Sequence, residues 1–215
     1  LFSFTHGDLY FNIQFYYSTA YRSSLPLHAQ KSSLIIRIYS LAYEGVFLKI
    51  IIVQCTAAKC DCETNYKRIE EATSEAVSSG HTDVLVFPEM WNTGFYPESL
   101  ETGADEDGKQ TKALLAKLSS QYGVNIEGGS VAVREGAGLY NRLYAFNRKG
   151  EELVAYDKVH LFSPAKEDKR FEAGSELCKF ALDGIQAGAV ICYDLRFIDW
   201  VTLTAQGADI LFVPA

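Results

Sequence analysis

Short apolar runs recur along this chain from about residue 48 onward, and each has the length of a buried strand. Residues 48–54, 83–89, 187–192 and 208–214 are nearly continuous runs rich in valine, isoleucine, leucine, alanine and phenylalanine. Runs of this kind fill strands that are covered on both faces, as in the sheets of layered α/β proteins. The pattern therefore predicts sheet structure in the interior of the protein.

Helical periodicity separates these runs. After Thr64, apolar side chains recur every three or four positions up to about Gly80, and a second such stretch covers residues 109–122 and stops at Gly123. We expect Thr64 to cap the first helix, because a threonine hydroxyl can accept a hydrogen bond from an amide of the first turn. A short helix that carries Trp200 is expected after residue 192.

Three further segments have strand composition, at residues 124–133, 141–147 and 151–156, and residues 148–150 form a turn between the last two. The order of strands and helices favours an α/β fold. With 215 residues, of which 48% are hydrophobic, the chain is long enough to bury one large core.

Reactive side chains follow three of the predicted strands. Glu89 ends one apolar run, Lys158 follows the strand at 151–156, and Cys192 ends a third run just before a helix. The carboxyl ends of strands are where α/β proteins usually gather their reacting groups. We therefore expect the carboxylate, the amine and the thiol to meet in one cleft.

This set of groups suits the attack of a thiol on an amide. A free thiol is only a few per cent ionised at neutral pH, so Cys192 needs a base, and Glu89 can accept its proton. The attack creates a negatively charged oxygen, for which the ammonium of Lys158 and the backbone N–H of Tyr193 are the expected donors. Glu89 can then protonate the leaving nitrogen and activate the water that hydrolyses the thioester.

The segments around these groups resemble the motifs of the nitrilase superfamily of carbon–nitrogen hydrolases. Residues 87–91 (FPEMW), 156–162 (YDKVHLF) and 191–197 (ICYDLRF) are similar to its glutamate, lysine and cysteine motifs, in the same order along the chain. The resemblance implies an α-β-β-α sandwich, in which two sheets are flanked by helices.

The resemblance also assigns expected roles to individual residues. It implies that Glu89, Lys158 and Cys192 are catalytic. Glu167, nine residues after Lys158, matches the position of a second glutamate that orients the lysine and the substrate in many members. From the residues alone, Glu167 belongs to a charged run that is typical of a solvated loop, and both interpretations stay open.

The sequence gives fewer indications about the substrate than about the reaction. The segment after Cys192 is similar to the omega-amidase-like branch, which hydrolyses the side-chain amides of 2-oxo acids such as 2-oxoglutaramate. The aromatic loop at residues 91–97 is expected to line the substrate pocket, with Trp91 in contact with substrate. Arg196 can pair with a substrate carboxylate or form a structural salt bridge beside Asp194, and the sequence leaves both open.

Other chemistries have weaker patterns. Residues 103–109 have the outline of a phosphate loop, but no serine or threonine follows the lysine, and the acidic residues at 105–107 would repel phosphate. Cys60 and Cys62 lack a second pair of ligands at metal-like spacing, and His160 is expected to pack or hydrogen-bond locally. No metal and no cofactor is predicted.

Charge and cysteine content narrow the expected partners and location. The net charge of −7 provides no basic surface for nucleic acid, and charged residues interrupt the apolar stretches before they reach the roughly 18 residues that span a bilayer. The 5 cysteines have no disulfide framework spacing, which indicates a reducing compartment, and the cytoplasm is expected. We expect a small-molecule amide substrate and, for the full-length protein, a homodimer or larger homo-oligomer.

The resemblance does not cover the whole chain. Residues 1–46 have no counterpart in the family and are expected to form an atypical extension, with disorder as one interpretation, whereas residues 47–215 are expected to form the hydrolase domain. Family members continue beyond the position of Ala215, so the sandwich is expected to lack its C-terminal strands and helix. Exposed sheet edges would then favour association or aggregation, and activity of the chain alone would be doubtful.

Two alternatives to hydrolysis follow from the same residues. The chain could be an inactive fragment that acts only in association with a longer relative, through its exposed sheet. It could instead be an acyltransferase that passes the acyl group of the thioester to an amine rather than to water.

Overall fold

The structure, a computed structural model, describes residues 2–3, 34–43, 46–59, 61–95 and 100–215. The described strands are β1 (Phe2–Ser3), β2 (Leu34–Tyr43), β3 (Val46–Cys55), β4 (Val84–Val86), β5 (Asp105–Glu106), β6 (Asn125–Glu135), β7 (Gly138–Phe146), β8 (Glu152–Asp157), β9 (Cys178–Leu182), β10 (Ile185–Ala189) and β11 (Ile210–Phe212). The described helices are α1 (Cys62–Ser78), α2 (Leu100–Gly103), α3 (Lys109–Tyr122) and α4 (Ile198–Ala205), with short 3-10 helices at Ser163–Ala165, Glu167–Lys169 and Cys192–Arg196.

These strands form two sheets. The larger has the order β2-β3-β4-β6-β7-β8, with β5 paired to β6, and the smaller has the order β1-β11-β10-β9. In the larger sheet β3, β4 and β6 run parallel, and β6, β7 and β8 form an antiparallel meander. In the smaller sheet β10 and β11 run parallel, and β9 pairs antiparallel with β10.

The buried apolar side chains of the described residues form separate clusters between the layers of helices and sheets. On one face of the larger sheet, α1 and α3 pack through residues such as Ile69 and Leu115. Between the sheets, Leu143 of the larger sheet and Ala187 of the smaller one belong to a single buried cluster. On the outer face of the smaller sheet, Val201 of α4 packs against β11. The order helix, sheet, sheet, helix confirms the α-β-β-α sandwich expected from the sequence.

Local details differ from the sequence-based expectations at several places. The predicted Thr64 cap is wrong, because α1 begins at Cys62 and its N-cap is Asp61, whose Oδ1 accepts a hydrogen bond from the Thr64 N–H at 3.1 Å. The strand β9 was not predicted, since it is only 5 residues long and buries alternate positions, so it forms no continuous apolar run.

The extension expected at residues 1–46 stays a prediction. Residues 1, 4–33 and 44–45 lie outside the described part of the chain, whereas residues 34–43 form β2, which pairs antiparallel with β3. Within the described residues, no helix combines the length and the apolar character needed to cross a membrane.

Candidate active site

Glu89 lies in a turn that follows β4 and is held against a bulge in β6. Gly129, in this bulge, has a φ of +60°, and a Cβ atom there would lie 2.1 Å from the carbonyl oxygen of Pro88, so only glycine fits. The Ser130 N–H donates to that Pro88 oxygen at 3.1 Å, and the Ser130 hydroxyl accepts from the Met90 N–H at 3.1 Å. These bonds hold the peptides on both sides of Glu89.

Lys158 directly follows β8, and its ammonium group is buried between two carboxylates. Nζ donates to Glu89 Oε1 at 2.8 Å and to Glu167 Oε2 and Oε1 at 2.9 Å and 3.2 Å. All three side chains are at most 1% exposed. Because burying a lone charge is very unfavourable, an ammonium at this depth requires such partners.

Glu167 is the buried member of the charged run at residues 166–170. It begins the 3-10 helix Glu167–Lys169, and Lys166 before it adopts a left-handed φ of 59°, which turns the chain inward. The Phe162 N–H donates to Glu167 Oε2 at 2.6 Å. Glu167 therefore lies beside Lys158, as the family resemblance implied, and a solvated loop does not describe this residue.

Cys192 lies on a strained turn between the smaller sheet and a helix. The strand β10 ends at Ala189, earlier than the predicted run, but the Cys192 N–H still donates to the Pro214 oxygen at 2.9 Å. Cys192 has a φ of +44°, a left-handed conformation that is unfavourable for a residue with a side chain. Strain of this kind is frequent where a turn presents a reactive side chain.

Asp194 connects the cysteine turn to the strand that carries Lys158. Its fully buried carboxylate accepts four hydrogen bonds: Oδ2 from the Tyr156 hydroxyl at 2.7 Å and the Ile191 N–H at 3.0 Å, and Oδ1 from the His160 N–H at 2.7 Å and His160 Nδ1 at 2.9 Å. The local hydrogen bonding expected for His160 is confirmed. The structural role of Asp194 in this link was not predicted from the sequence.

The buried charges shift the pKa values of the site. Burial raises the pKa of Glu89 above its usual range, although Lys158 and a hydrogen bond from Asn141 act in the opposite direction. Burial alone would lower the pKa of Lys158, but the charges of Glu89 and Glu167 outweigh this effect and raise it. Lys158 is therefore expected to stay protonated at neutral pH.

The thiol of Cys192 is held in its neutral form. Burial raises its pKa to about 12, the negative charge of Glu89 adds to this effect, and the positive charge of Lys158 opposes it. Such a thiol needs a base in direct reach when it attacks. The structure brings Glu89, Lys158, Glu167 and Cys192 close enough for each charge to act on the thiol.

One oxygen of Glu89 is not anchored. Oε2 is buried without a hydrogen bond of normal geometry, although Glu89 interacts with the Cys192 thiol, whereas Oε1 accepts from both Lys158 and Asn141. Buried carboxylate oxygens are normally paired, and an exception in a cluster of charges is typical of a functional site. Oε2 is therefore the Glu89 atom that is available for a proton or a substrate.

Trp91 and Arg196, which the sequence also predicted for the site, are not part of this buried cluster. Trp91 is 1% exposed, packs edge-on against Tyr66 in the helix-side core and donates from Nε1 to the Gly128 oxygen at 2.8 Å. These contacts are structural, and its substrate contact stays a prediction. Arg196 is exposed and is not among the partners of Asp194.

The Tyr193 N–H lies in the first turn of the 3-10 helix Cys192–Arg196. Amides of a first turn have no carbonyl partner within their own helix, which suits the oxyanion donor expected from the sequence. Within the described residues, no group of three or more histidine, cysteine, aspartate or glutamate side chains is arranged to hold a metal ion.

The fold and the cluster of Glu89, Lys158, Glu167 and Cys192 agree with the comparison of this sequence with known protein families. The family model described as carbon-nitrogen hydrolase matches residues 49–215. The chain therefore belongs to the carbon–nitrogen hydrolase family, within the nitrilase superfamily.

Individual relatives are amidases by name. The chain is 43% identical over 138 residues to 2-oxoglutaramate amidase of Bacillus subtilis strain 168, which covers 64% of this chain and 53% of the relative. It is 33% identical over 167 residues to the chloroplastic omega-amidase of Arabidopsis thaliana, which covers 72% of this chain and 45% of the relative. The chain thus spans about half the length of these two relatives.

Solved structures share the fold. An amidase from Nesterenkonia sp. superposes with a TM-score of 0.69 and 26% identity over 81% of this chain and 66% of its own. A glutamate-to-glutamine mutant of the amidase from Nesterenkonia sp. AN1 shows the result of Michael addition of acrylamide at its active-site cysteine, with a TM-score of 0.68 and 25% identity over 78% of this chain and 66% of its own.

Proposed function

We propose that this chain carries the active site of an amidase that cleaves small linear amides through a covalent bond to Cys192. The observation that supports this most is the unpaired Glu89 Oε2, buried beside a neutral thiol and a lysine held between two carboxylates. What sets this oxygen apart is its surroundings, because the Glu89 carboxylate interacts with the Cys192 thiol and Lys158 lies beside it.

The first half of the reaction forms the acyl-enzyme. Glu89 Oε2 takes the proton of Cys192 as the sulfur attacks the amide carbon, and the carbon–oxygen double bond becomes an oxyanion. The Lys158 ammonium and the Tyr193 N–H stabilise this oxygen, because both are donors fixed before the reaction begins. Glu89 then passes its proton to the amide nitrogen, ammonia leaves, and a thioester remains on Cys192.

The second half returns the free enzyme. Glu89, again ionised, takes a proton from a water molecule that attacks the thioester carbon, and the same donors stabilise the second oxyanion. The carbon–sulfur bond breaks, the thiol regains its proton from Glu89, and a carboxylic acid is released. Glu167 acts mainly through Lys158, whose ammonium it holds with two hydrogen bonds.

The proposed substrate is the ω-amide of a 2-oxo acid, such as 2-oxoglutaramate. The names of the Bacillus subtilis and Arabidopsis thaliana relatives support this class. Arg196 supports it as well, since the four hydrogen bonds to Asp194 come from other groups and the exposed guanidinium can pair with a substrate carboxylate.

A direct test follows ammonia release from 2-oxoglutaramate together with the mass of the intact protein. We expect ammonia and an acyl adduct from the wild-type chain, and neither from Cys192→Ala. Glu89→Gln should slow acylation by at least about 100-fold, because it removes the general base. Cys55→Ala is the matched control, since Cys55 is another half-buried free thiol at the end of β3.

Three outcomes distinguish the alternatives. Equal ammonia release from Cys192→Ala would contradict a thioester mechanism. A folded wild-type chain that neither forms an adduct nor releases ammonia would favour the inactive fragment that acts only in association. Transfer of the acyl group to an added amine in preference to water would favour the acyltransferase.

A further inference from the structure

Asn141 is a buried amide that contacts both carboxylates around Lys158. Its Nδ2 donates to Glu89 Oε1 at 2.9 Å and to Glu167 Oε1 at 3.0 Å, so both hydrogens of the amide are used. The side chain is fully buried, and its Oδ1 has no hydrogen-bond partner. Asn141 is therefore held in place entirely through its donor side.

This amide has only one favourable orientation. A flip about its last torsion would place Oδ1 against two carboxylate oxygens, and like partial charges would repel. The backbone gives a second restraint, because the Asn141 oxygen accepts a hydrogen bond from the Lys158 N–H at 2.9 Å. The amide and the ammonium therefore keep a constant relative position beside Glu89.

Glu89 by itself does not distinguish its two oxygens, because the last torsion of a glutamate is broad and roughly two-fold. The surroundings make the distinction. Oε1 accepts from Lys158 Nζ at 2.8 Å and from Asn141 Nδ2 at 2.9 Å, whereas Oε2 has no hydrogen bond of normal geometry. Lys158 gives Oε1 one hydrogen bond from a long side chain, and Asn141 gives it a second from a different side chain, which restricts rotation of the carboxylate.

We propose that Asn141 is a positioning residue for the base: it anchors Glu89 through Oε1 and so reserves Oε2 for the proton of Cys192. This inference rests on the proposed function, in which Glu89 accepts that proton. Asn141 acts through Glu89 and need not touch the substrate.

The electrostatics of the site agree with this role. The hydrogen bond from Asn141 lowers the pKa of Glu89, against the larger effect of burial, which raises it. Without the amide, the pKa of Glu89 would rise further, and a larger fraction of the base would be protonated at a given pH. Loss of Asn141 should therefore change the pH dependence of thiol reactivity as well as its rate.

The test measures alkylation of Cys192 by acrylamide as a function of pH, by intact-protein mass, and needs no amide hydrolysis. In this addition the sulfur bonds to the terminal alkene carbon, and the thiol proton, accepted first by Glu89, ends on the carbon next to the amide. The variants are Asn141→Leu, which keeps the volume and removes both donors, and Asn141→Asp, which keeps the shape and adds a third carboxyl group. Glu89→Gln defines the rate without a base.

We expect Asn141→Leu to alkylate about 10-fold more slowly than wild type, since a misplaced base loses much of its effect. The pH of half-maximal rate should rise by about 0.5 to 1 unit, because a stabilising hydrogen bond to the carboxylate is lost. Asn141→Asp should raise that pH more, because a further acidic group lies against two others.

The matched control is Asn125→Leu. Asn125 is also fully buried, and it also uses Nδ2 twice, for Asp183 Oδ2 at 2.6 Å and the Asp83 oxygen at 3.1 Å, but these partners are not residues of the proposed site. Its replacement should lower stability and leave the rate and the pH of half-maximal alkylation unchanged.

Two results would overturn the proposal. One is a folded Asn141 variant with the rate and pH dependence of wild type. The other is failure of both Asn141 variants to fold while Asn125→Leu folds, which would assign Asn141 a structural role. Failure of the proposed amidase function would give a different result. Alkylation of Cys192 would then depend on Glu89 and slow down in the Asn141 variants, yet wild type would not hydrolyse amides.

Discussion

Glu127 of β6 places a carboxyl group in the core between the sheets. It lies directly opposite Val86 and Ala145, which belong to the intersheet cluster. Neither of its oxygens has a hydrogen-bond partner of normal geometry, and the side chain is fully buried. Burial raises the pKa of this carboxyl to about 8, with only the backbone of Gly129 acting against the shift. We expect the folded protein to keep Glu127 protonated at neutral pH.

A pH-dependent stability follows for this residue. An unfolded glutamate ionises near pH 4.3, so between that pH and about 8 the unfolded chain releases a proton that the folded chain keeps. Stability from this group is complete below the lower value and is lost as the pH rises to the upper one. Relative to Glu127→Gln, wild type should lose up to about 1.4 kcal/mol of unfolding free energy per pH unit in this window.

Urea unfolding of both proteins at several pH values from about 4 to about 9 measures this difference. This range extends just beyond the two pKa values. Glu152→Gln, at an exposed position of β8, serves as the control and should show no such window. Parallel stability curves for wild type and Glu127→Gln would mean that the buried carboxyl keeps the same charge in both states.

Among the residues of the site, the sequence identified those whose chemistry is reactive. Glu89 and Cys192 end apolar runs and Lys158 follows a predicted strand, where a charge or a thiol is conspicuous. Asn141 was missed because an amide is chemically unreactive, although it interrupts an apolar row with Leu143 on the same face of β7. That interruption was the available signal.

At the scale of elements, Asp194 joins the end of β8 to the cysteine turn. Four donors from Tyr156, His160 and Ile191 converge on its carboxylate. Tyr156 and His160 flank Lys158 in the chain, whereas Ile191 precedes Cys192. The link therefore sets the distance between the lysine and the nucleophile, which belong to different sheets.

Replacement of Asp194 by asparagine should damage both stability and reactivity. The new NH₂ group would face donors, so at least one buried donor loses its partner, at a cost of about 3 kcal/mol. Urea unfolding should show this loss, and alkylation of Cys192 should change in rate. Tyr156→Phe removes one of the four donors to Asp194 and the acceptor of Trp200 Nε1, and should cost less, about 1 to 2 kcal/mol. Equal effects of the two changes would argue against a shared role of the carboxylate.

The shape of the elements was less predictable than their existence. The predicted strand at 83–89 is only Val84–Val86 in the structure, because the chain beyond it bends around the bulge of β6 to present Glu89. The predicted run to Cys192 likewise leaves the sheet after Ala189. Apolar composition continues past the ends of both strands, since these turns remain buried.

At the scale of the whole molecule, a polar contact joins the two sheets at one end. Arg148, in the turn between β7 and β8, donates from Nε to Oδ2 of Asp183, in the turn between β9 and β10, at 3.0 Å. Asn125 of β6 contacts the same oxygen at 2.6 Å. The two charged side chains are 34% and 41% exposed, so water screens their attraction.

We expect Arg148→Met to destabilise the protein by only about 0.5 to 1 kcal/mol, because exposed ion pairs contribute little. Methionine keeps the apolar stem of arginine, and high salt should reduce the effect further. Thermal unfolding at low and high salt gives the measurement. A loss of several kcal/mol that persists in high salt would show that this contact does more than an exposed ion pair.

The expected homo-oligomer and the cytoplasmic location stay predictions, as does the substrate contact of Trp91. Fold class and family, by contrast, are established. The burial of Trp91 also shows how an aromatic residue next to a reactive glutamate can serve packing: its ring lies on the helix side of the sheet against Tyr66.

Sequence alone determined the order of the main strands and the longer helices, the layered α/β class and the reactive residues, because apolar periodicity and chemical type are local properties. Tertiary structure decided which polar groups share one buried volume. Lys158 meets Glu89 and Glu167 only because β8 lies across β7 from the rest of the sheet and a left-handed turn at Lys166 folds Glu167 inward. Hydrogen bonding of buried groups depends on distances between segments remote in the chain, and no local pattern contains those distances.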